Sequence, residues 1–330
     1  MSRLSLISFS TILALTATGV TANEAVKFGT NWVAQAEHGG YYQAVADGTY
    51  AACGLDVTIV PGGPQVNNRA MMLAGKIDFN MAGNLLGTFS SAAENVPVVA
   101  VMGVFQKDPQ IILAHPGKAP TFEALKDRKL FISDEGFATY YQWMKKEFGF
   151  TDEQREVYTF NVGPFIQDEN SAIQGYVSSE PLMVEKEAGF KPDVQLLADA
   201  GWSTYATIIE TMADTVANKP EVVQCFVDGT AKGWYNYLYG DNAKALEMIK
   251  ADNPDLTDEQ IAFSIAALRD NGIVDSGDSL EKGIGVMTEE RIKGFYDKMV
   301  AAELVPADLD YSQAYTLQFV GKGTGLELKK

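Results

Sequence analysis

The sequence has 330 residues, of which 46% are hydrophobic and 21% are charged, a composition typical of a globular protein with a sizeable core. Its formal net charge is -17. We do not expect such a chain to bind nucleic acid, because phosphate binding depends on clusters of lysine and arginine.

The N-terminal segment has the pattern of a secretory signal peptide. Arg3 precedes an apolar stretch over residues 4–15, and small residues lead to a cleavage site after Ala22. We therefore predict a signal peptide over residues 1–22, followed by a mature protein that is soluble and exported. No later stretch of the sequence approaches the roughly 18 apolar residues of a membrane span.

Strand-like and helix-like patterns then alternate along the chain. This alternation is typical of βαβ units built around a parallel sheet. In the first region the predicted strands are 25–30, 55–60, 77–83 and 96–105, and the predicted helices are 39–50, 65–74 and 85–94.

The same alternation continues in a second region that begins near residue 110. Within "DEGFATYYQWMKKEFGF" we predict a loop that becomes a helix, and Pro181 at the start of a later helix fits its first turn. The predicted strands here are 110–115, 129–133, 156–160, 173–178 and 194–199, and the other predicted helices are 121–125 and 180–190.

The last region is mostly helical after a predicted strand at 205–212. One helix is predicted from Pro220 to Tyr239, a second begins at the capping-box pattern "TDEQ" (257–260), and a third begins near Thr288. The order of elements predicts an α/β fold with two lobes and a helical C-terminal region.

The lobes are expected to be joined by two hinge crossings, near 105–112 and 199–207. We assign residues 23–108 to the first part of lobe one, 109–203 to lobe two, and 204–330 to the return to lobe one plus the C-terminal helices. Two such lobes would face each other across a cleft that closes by a hinge motion.

Cys53 and Cys225 are the two cysteines of the chain. An oxidising compartment permits a disulfide between them, but the sequence leaves open whether they are bonded or are two buried thiols. Two cysteines and two scattered histidines do not make a zinc site, so no metal is predicted. No cofactor is predicted either.

Residues 30–48, "TNWVAQAEHGGYYQAVADG", form the first candidate for a binding site. The segment follows a predicted strand, where the loops of α/β sheets line ligand clefts. Trp32 offers a flat apolar face that suits a heterocycle, and His38 offers two ring nitrogens for hydrogen bonds. Ordinary packing of Trp32, and a structural role for His38 at the start of a helix, are the alternatives.

Catalytic motifs are weak in this sequence. It contains no G-x-S-x-G elbow, no cysteine placed beside a histidine and no G-x-x-x-x-G-K-[ST] phosphate loop. The Gly-rich "PGGPQ" (61–65) lacks a following basic residue. The sequence therefore favours a binding protein over an enzyme.

Four segments give the chain a family resemblance. It resembles the periplasmic substrate-binding proteins of ABC transporters, in the group similar to thiamine-pyrimidine synthases and pyrimidine-precursor binders. The segments are "NWVAQAEHGGYYQAVADGTYAACGLDVTIVPGG" (31–63), "AGKIDFNMAGN" (74–84), "FISDEGFATYYQWMKKEFGF" (131–150) and "GYVSSEPLMVEKEAGFKP" (175–192).

The resemblance implies a monomer that holds a small ligand between its lobes and docks onto an ABC permease in the inner membrane. It also implies which positions hold the ligand: loops after the first three strands of lobe one, and helix starts in lobe two. Carried onto this sequence, the ligand-binding residues are Trp32, Gln35, His38, Gly63, Pro64, Asn84, Phe137, Tyr140, Tyr176 and Glu180.

An aminopyrimidine precursor of thiamine is the ligand that we favour. Trp32 and Tyr140 would stack on its ring, and Glu180 would accept a hydrogen bond from its exocyclic amine. His38 or Asn84 would complete the polar edge. Helix-dipole compensation by Glu180, and packing of Tyr140 in the core, are the structural alternatives.

Riboflavin is the main competing ligand, because the same aromatic faces would hold a larger ring. Sulfonate or nitrate is less suited, since the candidate loops carry Glu37, Glu135 and Glu180 and no lysine or arginine. A pyrimidine-forming enzyme is a distant alternative. His38 falls near the histidine that yeast-type pyrimidine synthases consume, but their cysteine-rich stretch is absent from this sequence.

Overall fold

Two mixed five-stranded sheets organise the protein. The structure, a computed structural model, describes residues 22–63, 66–159 and 161–329. Apart from Ala22, the predicted signal peptide lies outside the described residues. In chain order the strands are β1 (Glu24–Gly29), β2 (Leu55–Val60), β3 (Phe79–Asn84), β4 (Val98–Phe105), β5 (Gln110–Ala114), β6 (Lys129–Ile132), β7 (Arg155–Val157), β8 (Ser171–Tyr176), β9 (Asp193–Leu196) and β10 (Ala206–Met212).

Helices cover both sheets and form most of the C-terminal region. The α-helices are α1 (Gly39–Ala46), α2 (Thr49–Ala52), α3 (Asn68–Leu73), α4 (Leu85–Ala93), α5 (Asp134–Ala138), α6 (Tyr140–Phe148), α7 (Gly163–Gln167), α8 (Glu180–Ala188), α9 (Ala213–Asn218), α10 (Pro220–Tyr239), α11 (Ala243–Asp252), α12 (Asp258–Asp270), α13 (Ser279–Lys282) and α14 (Glu289–Ala301). Short 3₁₀ helices span Ala36–His38, Phe122–Asp127, Asp152–Gln154, Tyr311–Ala314 and Leu326–Leu328.

Each sheet defines one lobe. Lobe one contains the strand order β2-β1-β3-β10-β4, and lobe two contains β7-β6-β8-β5-β9. The chain passes from β4 to β5 through residues 106–109 and returns from β9 to β10 through residues 197–205. The predicted two-lobed α/β fold with two crossings is therefore confirmed.

The prediction of purely parallel sheets is wrong for two strands. β10 runs antiparallel to both β3 and β4, and β5 runs antiparallel to both β8 and β9. These are the strands that follow the two crossings. A strand that enters a lobe from the other lobe has no βαβ connection to fix its direction, so the rule for parallel units does not apply to it.

Local sequence explains where several helices begin and end. The Asn84 side chain accepts from the N–H of Leu86 and starts α4, while Thr257 and Gln260 form the predicted capping box of α12. The predicted helix over 39–50 is divided into α1 and α2 by Gly48, whose φ of +73° is unfavourable for other residues.

The segment after β6 also differs from the prediction. Residues 134–138 are helical (α5) rather than a loop, because the side chain of Ser133 caps Gly136 N–H. The chain turns at Thr139 before α6 begins, and this turn decides which aromatic side chains of α6 face the core. Tyr140, Tyr141 and Trp143 are all buried.

Lobe one has an aromatic core that a disulfide closes at one side. Phe226 of α10 stacks on Phe79 of β3 and on Tyr50 of α2, with ring centroids 4.2 and 5.2 Å apart. Cys53, just after α2, is bonded to Cys225 of α10, with Cα atoms 5.8 Å apart. The two cysteines, whose bonding the sequence left open, therefore form a disulfide within lobe one.

The C-terminal region contacts both lobes. α10 packs against α1 in lobe one, whereas α14 packs against α4 of lobe one and α6 of lobe two. Trp202, in the second crossing, lies between Trp143 of α6 and Phe295 of α14. The crossings are therefore embedded in packed side chains and do not form free linkers.

Candidate functional site

The carboxyl ends of the central strands define the edge of each lobe that carries the candidate site. β1 and β3 are parallel neighbours in lobe one, and β6 and β8 are parallel neighbours in lobe two. Parallel strands bring the loops that follow them to one edge of the sheet. The loops after β1 and β8 hold Trp32 and Ser178, so residues far apart in sequence reach a common region.

A direct hydrogen bond joins these two edges. Ser178 Oγ, just after β8, donates to Glu37 Oε1, in the turn after β1, at 2.5 Å. Both side chains are buried. Burial raises the pKa of the Glu37 carboxyl, while the bond from Ser178 favours its ionised form. The two lobes therefore meet at this point.

A groove of about 370 Å³ opens beside this bond. Gln35 and Glu37 line it from lobe one, Met183 and Lys186 of α8 line it from lobe two, and α12 closes its third side. Gln35 is half-buried and belongs to the predicted site. The cleft residues Gln35 and Glu37 thus also line this groove. The aromatic side chains that were predicted to bind a ring do not line it.

Two aromatic side chains are exposed at the facing edges. Trp32 after β1 is 37% exposed and Tyr176 at the end of β8 is 36% exposed, the two aromatic members of the exposed large hydrophobic side chains in the described part of the chain. The main chain of Trp32 is fixed by bonds from Thr30 Oγ1 and Gly62 N–H to its carbonyl. An exposed, well-anchored ring on each lobe can bind a flat ligand.

Gly62 is what allows this anchoring. A Cβ atom at this position would lie 2.2 Å from the carbonyl oxygen of Thr30, so a larger residue would separate the two loops. Gly63 is buried and packs near Val33 and Val66 at ordinary contact distances. Pro64, which was also predicted as a site residue, lies outside the described residues.

Asp108, in the first crossing, organises the polar part of the cleft. Its Oδ2 atom accepts from Asn84 Nδ2 at 3.4 Å and from Trp202 Nε1 at 3.0 Å, and its Oδ1 accepts from Gln110 N–H. Asn84, a predicted site residue, thus lies beside a buried carboxylate. Burial raises the pKa of Asp108, and Glu135 adds to this effect by charge repulsion.

Glu180 lies over the end of β8. Its Oε2 atom accepts from the backbone N–H of Tyr176 at 2.6 Å. Glu180 is also the first residue of α8, the position that the helix-dipole alternative requires. Burial raises the pKa of this carboxyl to about 7, with the negative charge of Glu37 contributing. At neutral pH Glu180 can therefore both accept and donate hydrogen bonds.

His38 is buried, in the turn next to Glu37. Its Nε2 atom is 3.3 Å from Asn31 Oδ1, and its Nδ1 atom has no hydrogen-bond partner in the described part of the chain. Burial lowers the pKa of His38 to about 3, so the ring is neutral at physiological pH. A neutral imidazole can donate one hydrogen bond and accept another, but it cannot supply a positive charge.

Two residues of lobe two do not present the rings that were predicted for them. Tyr140 is 5% exposed, and its hydroxyl donates to Gln174 Oε1 at 2.9 Å. The turn at Thr139 buries its ring against Trp202, so the predicted stacking face is not available. The ring of Phe137 packs on Tyr141 and lies below the guanidinium of Arg155, outside the polar cluster around Asp108.

The structure thus places Asn84 against Asp108, with Tyr140 and Tyr176 within reach of its charge. Glu180 lies at the backbone of Tyr176. Sequence reasoning missed Asp108 as a cleft residue. Asp108 stands in "KDPQ", which has the composition of an ordinary turn, and its position between two strands at a predicted crossing was the signal that could have identified it.

Neither metal nor membrane signatures accompany this site. The described residues contain no group of three or more histidine, cysteine, aspartate or glutamate side chains arranged to hold a metal ion. A search of the same residues for a helix that is long and apolar enough to cross a membrane found none.

Comparison with protein families gives one match that covers both edges of the cleft. A family model described as NMT1/THI5 like matches residues 35–245, about two thirds of the chain. The matched segment contains both crossings and nearly all of the cleft residues. No match was found among curated proteins.

Solved structures show the same architecture at low sequence identity. The periplasmic aliphatic sulphonate binding protein SsuA from Escherichia coli is 16% identical, with 89% of this chain and 92% of that chain aligned and a TM-score of 0.58. The periplasmic nitrate-binding protein NrtA from Synechocystis PCC 6803 is 13% identical, over 89% and 86%, with a TM-score of 0.60. The desulfurization enzyme DSZB is 12% identical, over 90% and 97%, with a TM-score of 0.53. The fold is therefore that of periplasmic binding proteins, which at least one enzyme shares.

Proposed function

Because the chain belongs to the NMT1/THI5-like family and has the fold of periplasmic binding proteins, we propose that it is the solute-binding component of an ABC importer. It would act in the periplasm and deliver its ligand to a permease in the inner membrane. The ligand would bind between the lobes and stabilise the closed arrangement, since it contacts both edges only there. The favoured ligand is an aminopyrimidine precursor of thiamine.

The choice of ligand rests on one observation. Exposed aromatic rings, Trp32 in lobe one and Tyr176 in lobe two, accompany hydrogen-bonding groups and carboxylates at the facing edges. A flat heterocycle with amino groups suits such a site, because the rings bind its faces and the acidic oxygens accept from its N–H groups. Tyr176 replaces Tyr140 as the stacking residue of lobe two.

A small anion suits the same residues poorly. Glu37, Asp108 and Glu180 would surround it, and placing an anion beside unpaired carboxylates is costly. We therefore do not transfer the sulfonate or nitrate of the structural neighbours to this protein.

An enzymatic role has less support. Cys53 and Cys225 are bonded to each other and cannot act as nucleophiles. His38 is neutral and its Nε2 faces an asparagine, so no nucleophile–base pair accompanies it. A binding protein is the function that these residues favour.

Calorimetric titration of the mature protein tests the proposal. The aminopyrimidine precursor, riboflavin, an alkanesulfonate and nitrate would be run in parallel. Binding of the pyrimidine alone is the expected result. Binding of riboflavin alone would support stacking on the exposed rings but identify a different ligand. Binding of an anion alone would contradict the expectation that the carboxylates exclude anions.

Two variants locate the site. We expect Trp32→Ala and Glu180→Gln each to weaken pyrimidine binding by more than tenfold, or about 1.4 kcal/mol. Val33→Ala is the matched control, since Val33 is exposed in the same loop. Unchanged affinity in both test variants would show that the ligand does not bind at this site.

A further inference from the structure

Four carboxylates surround the ring of Tyr176. Glu180 binds its backbone N–H, and Asp108 lies two residues before Gln110, the residue paired with Tyr176 across β5 and β8. Glu37 is held by Ser178, two residues further along the chain. Glu135 lies on α5, and Ser133, which caps that helix, donates its N–H to Gln174 of β8. Desolvation of its hydroxyl end raises the pKa of the Tyr176 phenol, and Asp108, Glu135, Glu180 and Glu37 all add to this by their negative charge.

None of these four carboxylates forms an ion pair with any described residue. Cations on neighbouring elements are bound to other groups. Lys186 pairs with Glu259, Arg155 pairs with Asp134, and Arg291 donates to carbonyl oxygens of the crossings. The cleft thus holds four acidic side chains for which the described residues supply no ion-pair partner.

Two further features point to a ligand with N–H groups. The buried His38 Nδ1 atom, in the residue next to Glu37, has no partner in the described part of the chain. A buried polar atom without a partner is costly unless a ligand or water binds it. The exposed ring of Tyr176 offers an aromatic face, which attracts cations as well as flat rings.

We propose that the cleft selects a heterocycle that carries a positive charge, such as a protonated aminomethyl group, and that Glu135 and Asp108 are the residues that determine this selection. This inference rests on the proposed function, because it specifies the charge of the ligand in the same cleft. A cation entering the cleft replaces repulsion among the carboxylates by attraction. A neutral ligand of the same shape gains the stacking and the hydrogen bonds but not the electrostatic attraction to the carboxylates.

Glu135 is the better residue to test. Its side chain is exposed and makes no hydrogen bond or ion pair with the described residues, so Glu135→Gln removes the charge without disturbing a structural contact. Asp108, in contrast, holds Asn84 and Trp202. Glu156→Gln on β7 provides the matched control, since Glu156 is equally exposed in lobe two and β7 is the edge strand of its sheet.

The experiment compares two pyrimidines that differ in one group. Both are 4-amino-2-methylpyrimidines, and the substituent at position 5 is either aminomethyl, which is protonated, or hydroxymethyl, which is neutral. Calorimetric titration of the full mature protein at low salt is expected to give at least about tenfold tighter binding of the aminomethyl compound. Glu135→Gln should reduce this preference to roughly threefold or less, mainly by weakening the binding of the aminomethyl compound, while Glu156→Gln should leave the preference as it is.

The outcomes separate this inference from the proposed function. Equal or tighter binding of the hydroxymethyl compound would overturn the charge selection and leave the pyrimidine-binding function standing. A preference that persists fully in both Glu135→Gln and Asp108→Asn would reject these residues as its source. Binding of neither compound would overturn the proposed ligand, and the inference with it.

Discussion

The guanidinium of Arg291, on α14, lies 4.0 Å from the ring centroid of Tyr205, the residue that precedes β10. The same guanidinium donates to the carbonyl oxygens of Ser203 and Thr204 in the second crossing and of Gln106 in the first. Burial lowers the pKa of Arg291. One side chain thus holds both crossings at the point where a hinge motion would bend them.

Replacement of Arg291 is expected to destabilise this junction. Arg291→Lys keeps the charge but loses the planar group that contacts three carbonyls and stacks on Tyr205, so the free energy of unfolding should fall by about 1.5–3 kcal/mol. Urea unfolding measures this change. Lys293→Met is the control: Lys293 is exposed on the same helix and pairs with Asp297, and its loss should cost less than about 0.5 kcal/mol. Equal costs for both variants would show that Arg291 does not hold the crossings.

Glu180 should make stability depend on pH. The folded protein raises the pKa of this carboxyl from 4.5 to about 7, mainly through burial, so the folded state binds the proton more tightly than the unfolded chain. Its contribution to the free energy of unfolding is therefore greatest below pH 4.5 and is lost as the pH rises toward 7.

Glu180→Gln removes this contribution and keeps an oxygen that accepts from Tyr176 N–H. Relative to the wild type, the variant should gain stability between about pH 5 and about pH 8, which thermal unfolding at both values measures. Glu37 and Asp108 remain in both proteins, so the difference between the two curves isolates Glu180. A difference that does not change with pH would contradict the raised pKa.

Local patterns were sufficient to predict the lobes and most of the strands. Hydrophobic runs such as "VVAVMGVF" (β4) report burial directly, and capping residues such as Thr257 mark helix starts within a few positions. The directions of β5 and β10 depend on how the chain enters a lobe after a crossing. That relationship is global, and no window of the sequence contains it.

The site was harder to predict for a similar reason. The family resemblance identified loops, but which ring is exposed depends on packing: Tyr140 is buried by the turn at Thr139, whereas Tyr176 at a strand end remains accessible. The contact between Glu37 and Ser178 joins residues 141 positions apart. Such pairings follow from the arrangement of the two lobes, which individual segments do not encode.

The disulfide should affect stability without affecting binding. Cys53 and Cys225 join two helices within lobe one, so their bond restricts the unfolded chain. The two sulfur atoms contact the carbonyl oxygens of Thr49, Tyr50 and Cys225 rather than the described cleft residues. The double variant Cys53→Ser/Cys225→Ser should lose about 2–5 kcal/mol of unfolding free energy, measured by urea unfolding. Calorimetry on the folded variant should give the wild-type affinity, and a weakened affinity would show that lobe one transmits the change to the cleft.

Ser178 should control how readily the lobes stay together. Its hydroxyl supplies the hydrogen bond to the buried carboxylate of Glu37, and α12 supports the contact because Ser264 Oγ donates to the carbonyl oxygen of Ser178 at 2.7 Å. Ser178→Ala leaves the carboxylate without this donor, at a cost of about 1.5–3 kcal/mol in the closed arrangement.

We expect Ser178→Ala to increase the radius of gyration of the ligand-free protein in X-ray scattering, because the open arrangement becomes more populated. Ligand affinity should fall by about tenfold or more, since binding must then also restore closure. Ser179→Ala is the matched control: Ser179 is exposed, and its side chain does not cap α8. If both variants scatter like the wild type, the bond between Glu37 and Ser178 does not hold the lobes together, and closure must depend on the ligand and on α12.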